Sequence, residues 1–403
     1  FQSFLDETSK IKIKVHEKTQ EMLENLKSAE LTERQLQEWK EMFNKFLKLF
    51  QKEKLKDVIM TLVGNFNLPE EILKKNSLNL LQEYISIISF SGEEELKLHI
   101  LELLVPKSQL PEVQNLLVFW TGKCLEGKNY GDLTFLIEKI GGQVSQIKEF
   151  LNQKENLVIL IDDLKKSPEL RPSLKKLLLF IGTPEVAWHL TLVFIHPDRH
   201  LRQTALAVLS DLGETSEKVF AQIFADEKNW IRNPDGLTLS NSSWFKIRNI
   251  LHLWGKIKIF NSWEILEKRI DDLDPKVRRE IAKTLEKIGG QKALALLTIL
   301  SSDPNPQVQK TAILGLGLIG TPQEIPHLKN LFQLESPLAL AIIYAIKNIG
   351  GQEAKRFFLE ILDKEKMLGK SLIIRAKAKK IIAVVLKALS QFQDLEVNQK
   401  VQQ

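Results

Sequence analysis

Asp274-Pro275-Lys276-Val277-Arg278-Arg279-Glu280-Ile281-Ala282-Lys283-Thr284-Leu285-Glu286-Lys287-Ile288-Gly289-Gly290 decides the fold of this chain. An acidic residue ahead of proline is a helix start. Val277, Ile281, Leu285 and Ile288, three and four apart, share one helical face, and the glycines stop the helix. The phrase returns as Ser167-Pro168-Glu169-Leu170-Arg171 running to Ile181-Gly182, and as Pro197-Asp198-Arg199-His200-Leu201-Arg202 running to Leu212-Gly213. Further copies run from Asp303-Pro304 to Ile319-Gly320 and from Ser336-Pro337 to Ile349-Gly350-Gly351. Arg171, Arg202, Arg248, Arg278, Gln309, Ala341 and Arg375 read as one slot, with steps of 31, 46, 30, 31, 32 and 34. A repeat of this length specifies a stacked array. The surplus in the 46-residue step falls on Asn229–Ser243, rich in Asn, Ser, Pro and Gly. That segment is expected to project as an exposed loop with Trp230 and Leu237 at a functional tip.

One unit reads as two antiparallel helices. Ala293, Leu294, Leu296, Leu297 and Leu300 line the first; Asp303 caps the second, Pro304 opens it, and Val308, Ala312, Ile313, Leu316 and Ile319 line it. Gly320 is expected to close it in the left-handed conformation. Two helices alone leave an apolar face uncovered, so each pair packs on the next. The expected fold is all-α: a right-handed superhelical solenoid of about nine to twelve helix pairs. Residues 1–65 are assigned to an N-terminal helical cap, 66–166 to degenerate repeats, 167–390 to the repeat array and 391–403 to a polar tail.

Asp274-Pro275-x-Val277-Arg278, its copies and the Ile-Gly endings resemble the HEAT-repeat family, in particular its short bacterial form related to phycobilin-lyase-type repeats. Trp244-Phe245-Lys246-Ile247-Arg248-Asn249 is similar to a phrase common in bacterial HEAT proteins. The resemblance runs from Ser167 to Lys387 and only weakly over Pro69–Lys166. It implies that Arg171, Arg202, Arg248 and Arg278 bond to acidic or carbonyl groups at the turn of an adjacent repeat. Gln309 and Ala341 interrupt that ladder. The scaffold hosts many functions, so the resemblance speaks to fold and hardly to activity.

Thr32-Glu33-Arg34-Gln35 is a capping box opening a helix with Leu36, Trp39, Phe43, Phe46, Leu47 and Phe50 on one side. It reads either as an end cap for the array or as a docking helix for a partner. The chain has one cysteine, Cys124, which excludes an internal disulfide framework and fits a reducing, cytoplasmic compartment. No apolar run is long enough to span a membrane. The first residue is Phe1, so the chain is read as a processed product or a piece of something larger, and the missing signal peptide carries little weight.

Gly315-x-Gly317-x-x-Gly320 matches a dinucleotide-binding string, yet the repeat register puts it at the end of a helix, the wrong pole for a pyrophosphate. His196 and His200 are separated by Pro197 and a turn, which is unsuited to zinc. Cys124 reads as a buried structural thiol. No catalytic, cofactor or metal residue is assigned. Lys364, Lys366, Lys370, Arg375, Lys377, Lys379, Lys380 and Lys387 against Asp363 and Glu365 account for the whole net charge of +6. These cations form a solvated end cap, a site for an acidic protein, or a surface for nucleic acid or anionic lipid; Lys377, Lys379 and Lys380 are the candidates. Cations are not expected to recur along one face, which ranks a DNA groove below protein binding. The resulting expectation is a non-catalytic scaffold binding a protein on its concave, second-helix face. The alternatives are a nucleic-acid-binding HEAT protein, including a DNA-glycosylase-like one, and a lyase-like cofactor handler.

Overall fold

The three- and four-residue apolar spacing becomes helix wherever it recurs among the described residues of the computed structural model. It describes residues 17–48, 52–89, 93–140, 145–257, 261–365 and 372–392, without the side chains of 363–365 and 372–379. Among the described residues the one extended pairing is an isolated antiparallel bridge between Arg232 and Leu239. The chain divides into two compact units, 1–181 and 182–403. The division falls inside the stretch that the sequence assigns to a single array.

In the first unit, residues 17–24 are helical and are followed by nine further α-helices. These are α1 (Glu33–Lys48), α2 (Lys52–Gly64), α3 (Glu71–Ile88), α4 (Glu94–Leu104), α5 (Pro111–Glu126), α6 (Tyr130–Ile140), α7 (Ser145–Asn152), α8 (Lys154–Lys166) and α9 (Arg171–Ile181). From α1 to α7 each helix packs on the next but one, α1 on α3, α2 on α4 and so on, which makes two layers. Thr32 and Gln35 close the capping box: the Thr32 amide donates to Gln35 Oε1 at 2.9 Å and the Gln35 amide to Thr32 Oγ1 at 3.4 Å. Trp39, Phe43 and Phe46 are fully covered, so the N-terminal segment belongs to this unit's core. Asn76 on α3 fixes the turn before α1. Its Nδ2 donates to the carbonyls of Leu26 and Ala29 at 2.8 and 2.7 Å, and its Oδ1 accepts from the Leu31 amide at 3.0 Å. Phe50, Ile11–Val15 and Gly141-Gly142 lie outside the described residues.

The second unit contains α10 (Pro184–Thr191), α11 (Arg199–Asp211), α12 (Glu214–Ala225), α13 (Asn241–Ile257), α14 (Trp263–Glu267), α15 (Pro275–Ile288), α16 (Gly290–Leu300), α17 (Pro306–Ile319), α18 (Ile325–Leu331), α19 (Ala339–Ile349), α20 (Gly351–Glu365) and α21 (Leu372–Leu389). The second helix of each pair stacks on its counterparts, in the order α11, α13, α15, α17, α19, α21. The spacing of α17 and α19 is set by glycine. A Cβ on Gly317 would lie 2.4 Å from Ala345 Cα, closer than any real contact.

Two local expectations are corrected here. Asn305, not Asp303, caps α17: its side chain accepts from the amides of Gln307 and Val308. Asp-Pro and Asn-Pro stand side by side at 303–306, and the helix starts from the second because Asp303 is engaged by Arg278. Gly320 is not left-handed, with φ −74° and ψ 163°. Other repeat terminators do have positive φ: Gly182, Gly213, Gly289 and Gly350, at 60°, 55°, 73° and 71°. Glycine is needed at 320 for a different reason: a Cβ there would lie 2.3 Å from the Leu316 carbonyl oxygen.

Candidate partner-binding face

The repeat arginines are turn clamps of unequal reach. Arg171 donates from Nε to the Leu164 carbonyl at 3.1 Å, within its own turn. Arg202 Nη1 holds the carbonyls of His196 and Pro197 at 2.5 and 2.9 Å. Arg278 does the same to Asp272 at 2.6 Å and also reaches the next repeat, where Nε and Nη2 grip Asp303 at 2.6 and 2.9 Å. Asp303 Oδ1 also accepts the Asn305 amide at 2.7 Å, so one carboxylate couples the clamp to the start of α17. The hydrogen bonds to Asp303 hold the Arg278 guanidinium above its ordinary range. Such two-pronged, charge-assisted bonds are the strong ones in proteins.

Arg248 does not belong to the ladder. In the clamped repeats the arginine stands four residues after the cap and eleven before a glycine: Asp198, Arg202, Gly213 and Asp274, Arg278, Gly289. In α13 those places are held by Ser240, Trp244 and Gly255, with Ser240 Oγ accepting the Ser243 amide at 3.4 Å. Arg248 sits one helical turn further on and is exposed. The same spacing puts Ala339, not Ala341, before Gly350. Gly255 lies inside the helix and does not end it, and a Cβ there would meet the Lys287 stem at 2.8 Å. The long step is therefore 42 residues from Arg202 to Trp244, and the insertion is shorter than the raw spacing suggests.

The inserted segment is a packed brace, which corrects the expectation of a projecting loop with Trp230 at its tip. Trp230 is 5% exposed, edge-on to Phe224, with Nε1 donating to the Phe224 carbonyl at 2.8 Å. The Arg269 guanidinium stacks 3.9 Å above its ring and pairs with Glu227. Arg232 reaches Asp272 at 2.9 Å, and the Leu239 amide donates to Asp274 at 3.0 Å. An indole buries a large apolar area and has one polar atom to satisfy, and here both needs are met internally. Ile231 and Leu237 are the exposed apolar residues of the segment.

The exposed face of the second helices carries chemistry of its own. At about 100° per residue, positions two, five, nine and thirteen after a cap fall within one arc roughly 80° wide. On α15 these are Lys276, Arg279, Lys283 and Lys287; on α17 they are Gln307, Lys310, Leu314 and Leu318. Leu318 is 61% exposed, and Tyr344, in the same row on α19, is 44% exposed. Across α11, α13, α15, α17, α19 and α21 the acidic residues are Asp211, Glu280 and Glu286 alone, and Lys283 takes Glu280 at 2.9 Å. The first helices hold most of the acids: Glu185, Glu214, Glu217, Glu264, Glu267 and those of α20. The acids lie mostly in the first helices, while from α13 to α19 the cations of this outward arc are confined to α15 and Lys310: the same positions are Ser242, Phe245, Asn249 and Leu253 on α13 and Leu340, Tyr344 and Asn348 on α19. Arg248 and Lys256 on α13 and Lys347 on α19 stand at other positions of their helices. Burial lowers the affinity of half-buried His252 for a proton, and Lys287, Lys256 and Arg248 around it add to the effect against Glu280.

Lys380 is exposed on α21; Lys377 and Lys379 share that helix, but their side chains lie outside the described residues. Gly315 and Gly317 are buried inside α17. Burial pushes the Cys124 thiol up to about 12. His196 Nδ1 accepts the Asp198 amide at 3.1 Å. Among the described residues no group of three or more His, Cys, Asp or Glu is placed to hold a metal ion, and no helix is long and apolar enough to cross a membrane.

Residues 264–347 match the HEAT-repeat family model, so the stretch from α14 to α19 carries HEAT repeats. No curated protein matches the chain. Among solved structures it is similar to an engineered protein at 15% identity, covering 91% of this chain and 98% of that one, TM-score 0.29. It is also similar to Kap95p with RanGDP (12% identity, 82% and 47%, TM-score 0.34). The karyopherin Kap121p bound to Pho4p is a third (14%, 91% and 43%, TM-score 0.38). The chain spans less than half the length of these two proteins.

Proposed function

We propose that this chain is a non-catalytic scaffold that binds a protein partner through the solvent-facing side of its second helices. The observation that carries this reading is the solvent-facing side of α13, α15, α17 and α19, where Arg248, Lys256, Lys276, Lys287 and Lys310 are exposed together with Phe245, Leu318 and Tyr344. HEAT repeats over 264–347 support it, because stacked helix pairs form extended binding surfaces. Lys377, Lys379 and Lys380 would extend the basic face along α21, which fits an acidic partner.

Affinity purification of the whole chain from its source cells, with mass spectrometry and nuclease treatment, tests this reading. A stoichiometric protein retained after nuclease supports the scaffold. Nucleic acid recovered in its place would support the nucleic-acid-binding alternative, and a coloured or small-molecule adduct the lyase-like one.

A further inference from the structure

We infer that the face formed by α13, α15, α17 and α19 is built for an acidic segment of a protein that also carries apolar side chains. This deepens the scaffold reading and rests on it. Three observations converge. First, Arg248, Lys256, Lys287, Lys310 and Lys347 lie on these helices with no ion pair to a carboxylate among the described residues. Unneutralised charge of one sign across neighbouring helices raises the local concentration of the opposite sign and speeds encounter.

Second, the face is not uniformly cationic. Leu318 and Tyr344 are exposed, with half-buried Leu314 and Leu340 at neighbouring outward positions of α17 and α19, on helices that also carry Lys310 and Lys347. A phosphate backbone gains nothing from aliphatic side chains at its contact points, whereas an amphipathic peptide uses them as anchors. The charge pattern admits any polyanion; the apolar centre selects a protein.

Third, a depression between two repeats offers a seat for a single carboxylate. Pro275, Lys276 and Arg279 of α15 and Asn305 and Gln307 at the start of α17 line it. Arg279 Nε is buried there without a hydrogen-bond partner. A buried donor left unpaired is uncommon in native proteins and costs free energy that an incoming acceptor recovers.

The test is fluorescence anisotropy with the full chain and three labelled probes: a helical 20-residue peptide with Glu and Leu on opposite faces, poly-Glu of the same length, and a 20-base-pair DNA duplex. The Glu/Leu peptide should bind most tightly. Lys287→Glu with Lys310→Glu should weaken it at least tenfold, with the loss shrinking in high salt, and Leu318→Ser with Tyr344→Ser should weaken it at least threefold. All four side chains are at the surface, so circular dichroism should be unchanged, and Lys292→Glu on α16 serves as the control for a folded, charge-altered chain. Duplex DNA binding as tightly as the peptide overturns the inference, as does peptide affinity indifferent to both pairs or no peptide binding at all. A partner recovered by affinity purification that binds the Lys287→Glu, Lys310→Glu chain as well as the parent would preserve the scaffold reading and place its site elsewhere.

Discussion

Removing the Arg278 guanidinium tests the clamp that joins neighbouring repeats. Arg278→Ala deletes the two bonds to Asp303 and the bond to the Asp272 carbonyl in one step. It strands Asp303, whose side chain is 4% exposed and cannot recover its hydration without opening the turn. Breaking a buried pair by deleting one partner costs roughly 3–5 kcal/mol. Lys276→Ala, two residues away and exposed, should cost about 0.5 kcal/mol or less. Asp303→Asn keeps an acceptor for Nη2 and for the Asn305 amide, so the double variant Arg278→Ala, Asp303→Asn should be less damaged than the sum of the two single changes. Urea unfolding followed by tryptophan fluorescence gives the midpoints, and amide exchange in α15 and α17 localises the loss. Equal midpoints for Arg278→Ala and Lys276→Ala would refute the clamp.

Trp230→Ala should destabilise the second unit by roughly 3–5 kcal/mol, as for a core aromatic, and a melting temperature within a degree of the parent would return the indole to the surface. Gly317→Ala forces α17 and α19 apart at Ala345 and should cost about 1–3 kcal/mol, read as a lower urea midpoint; an unchanged midpoint would show that the helices can part freely. The pH dependence has a definite sign at His252, whose proton affinity is lowered in the fold by burial and by Lys287, Lys256 and Arg248. The unfolded chain protonates first, so stability is level above about pH 6.5 and falls as pH drops from there toward the folded value. His252→Gln should flatten that decline, and a slope identical to the parent's would show that the imidazole does not contribute.

The repeat unit was legible because its signals are local: a cap before proline, apolar residues three and four apart, a terminating glycine. Register was harder wherever the chain offered two equivalent signals. Asp303-Pro304 and Asn305-Pro306 both encode a helix start, and the Arg278 contact that decides between them spans 25 residues. The Trp-Phe-Lys-Ile-Arg-Asn context gives Arg248 the look of a ladder residue. The eleven-residue interval from Trp244 to Gly255 was in the sequence and would have given the correct phase. The fate of Trp230 was not readable, because a polar segment with Pro-Asp-Gly looks like a loop whether or not its indole finds Phe224 and Arg269. The shortage of acids on the second helices was readable directly, since α13, α17 and α19 contain no Asp or Glu.

Hydrogen–deuterium exchange on the full chain, alone and saturated with its affinity-purified protein partner, tests the central claim most directly. The account predicts slowed exchange in 245–256, 276–287, 307–318 and 340–347, with 214–225 and 290–300 unchanged. Slowed exchange confined to 214–225 and 290–300, or none in either set, would contradict the assignment of the second helices as the binding face.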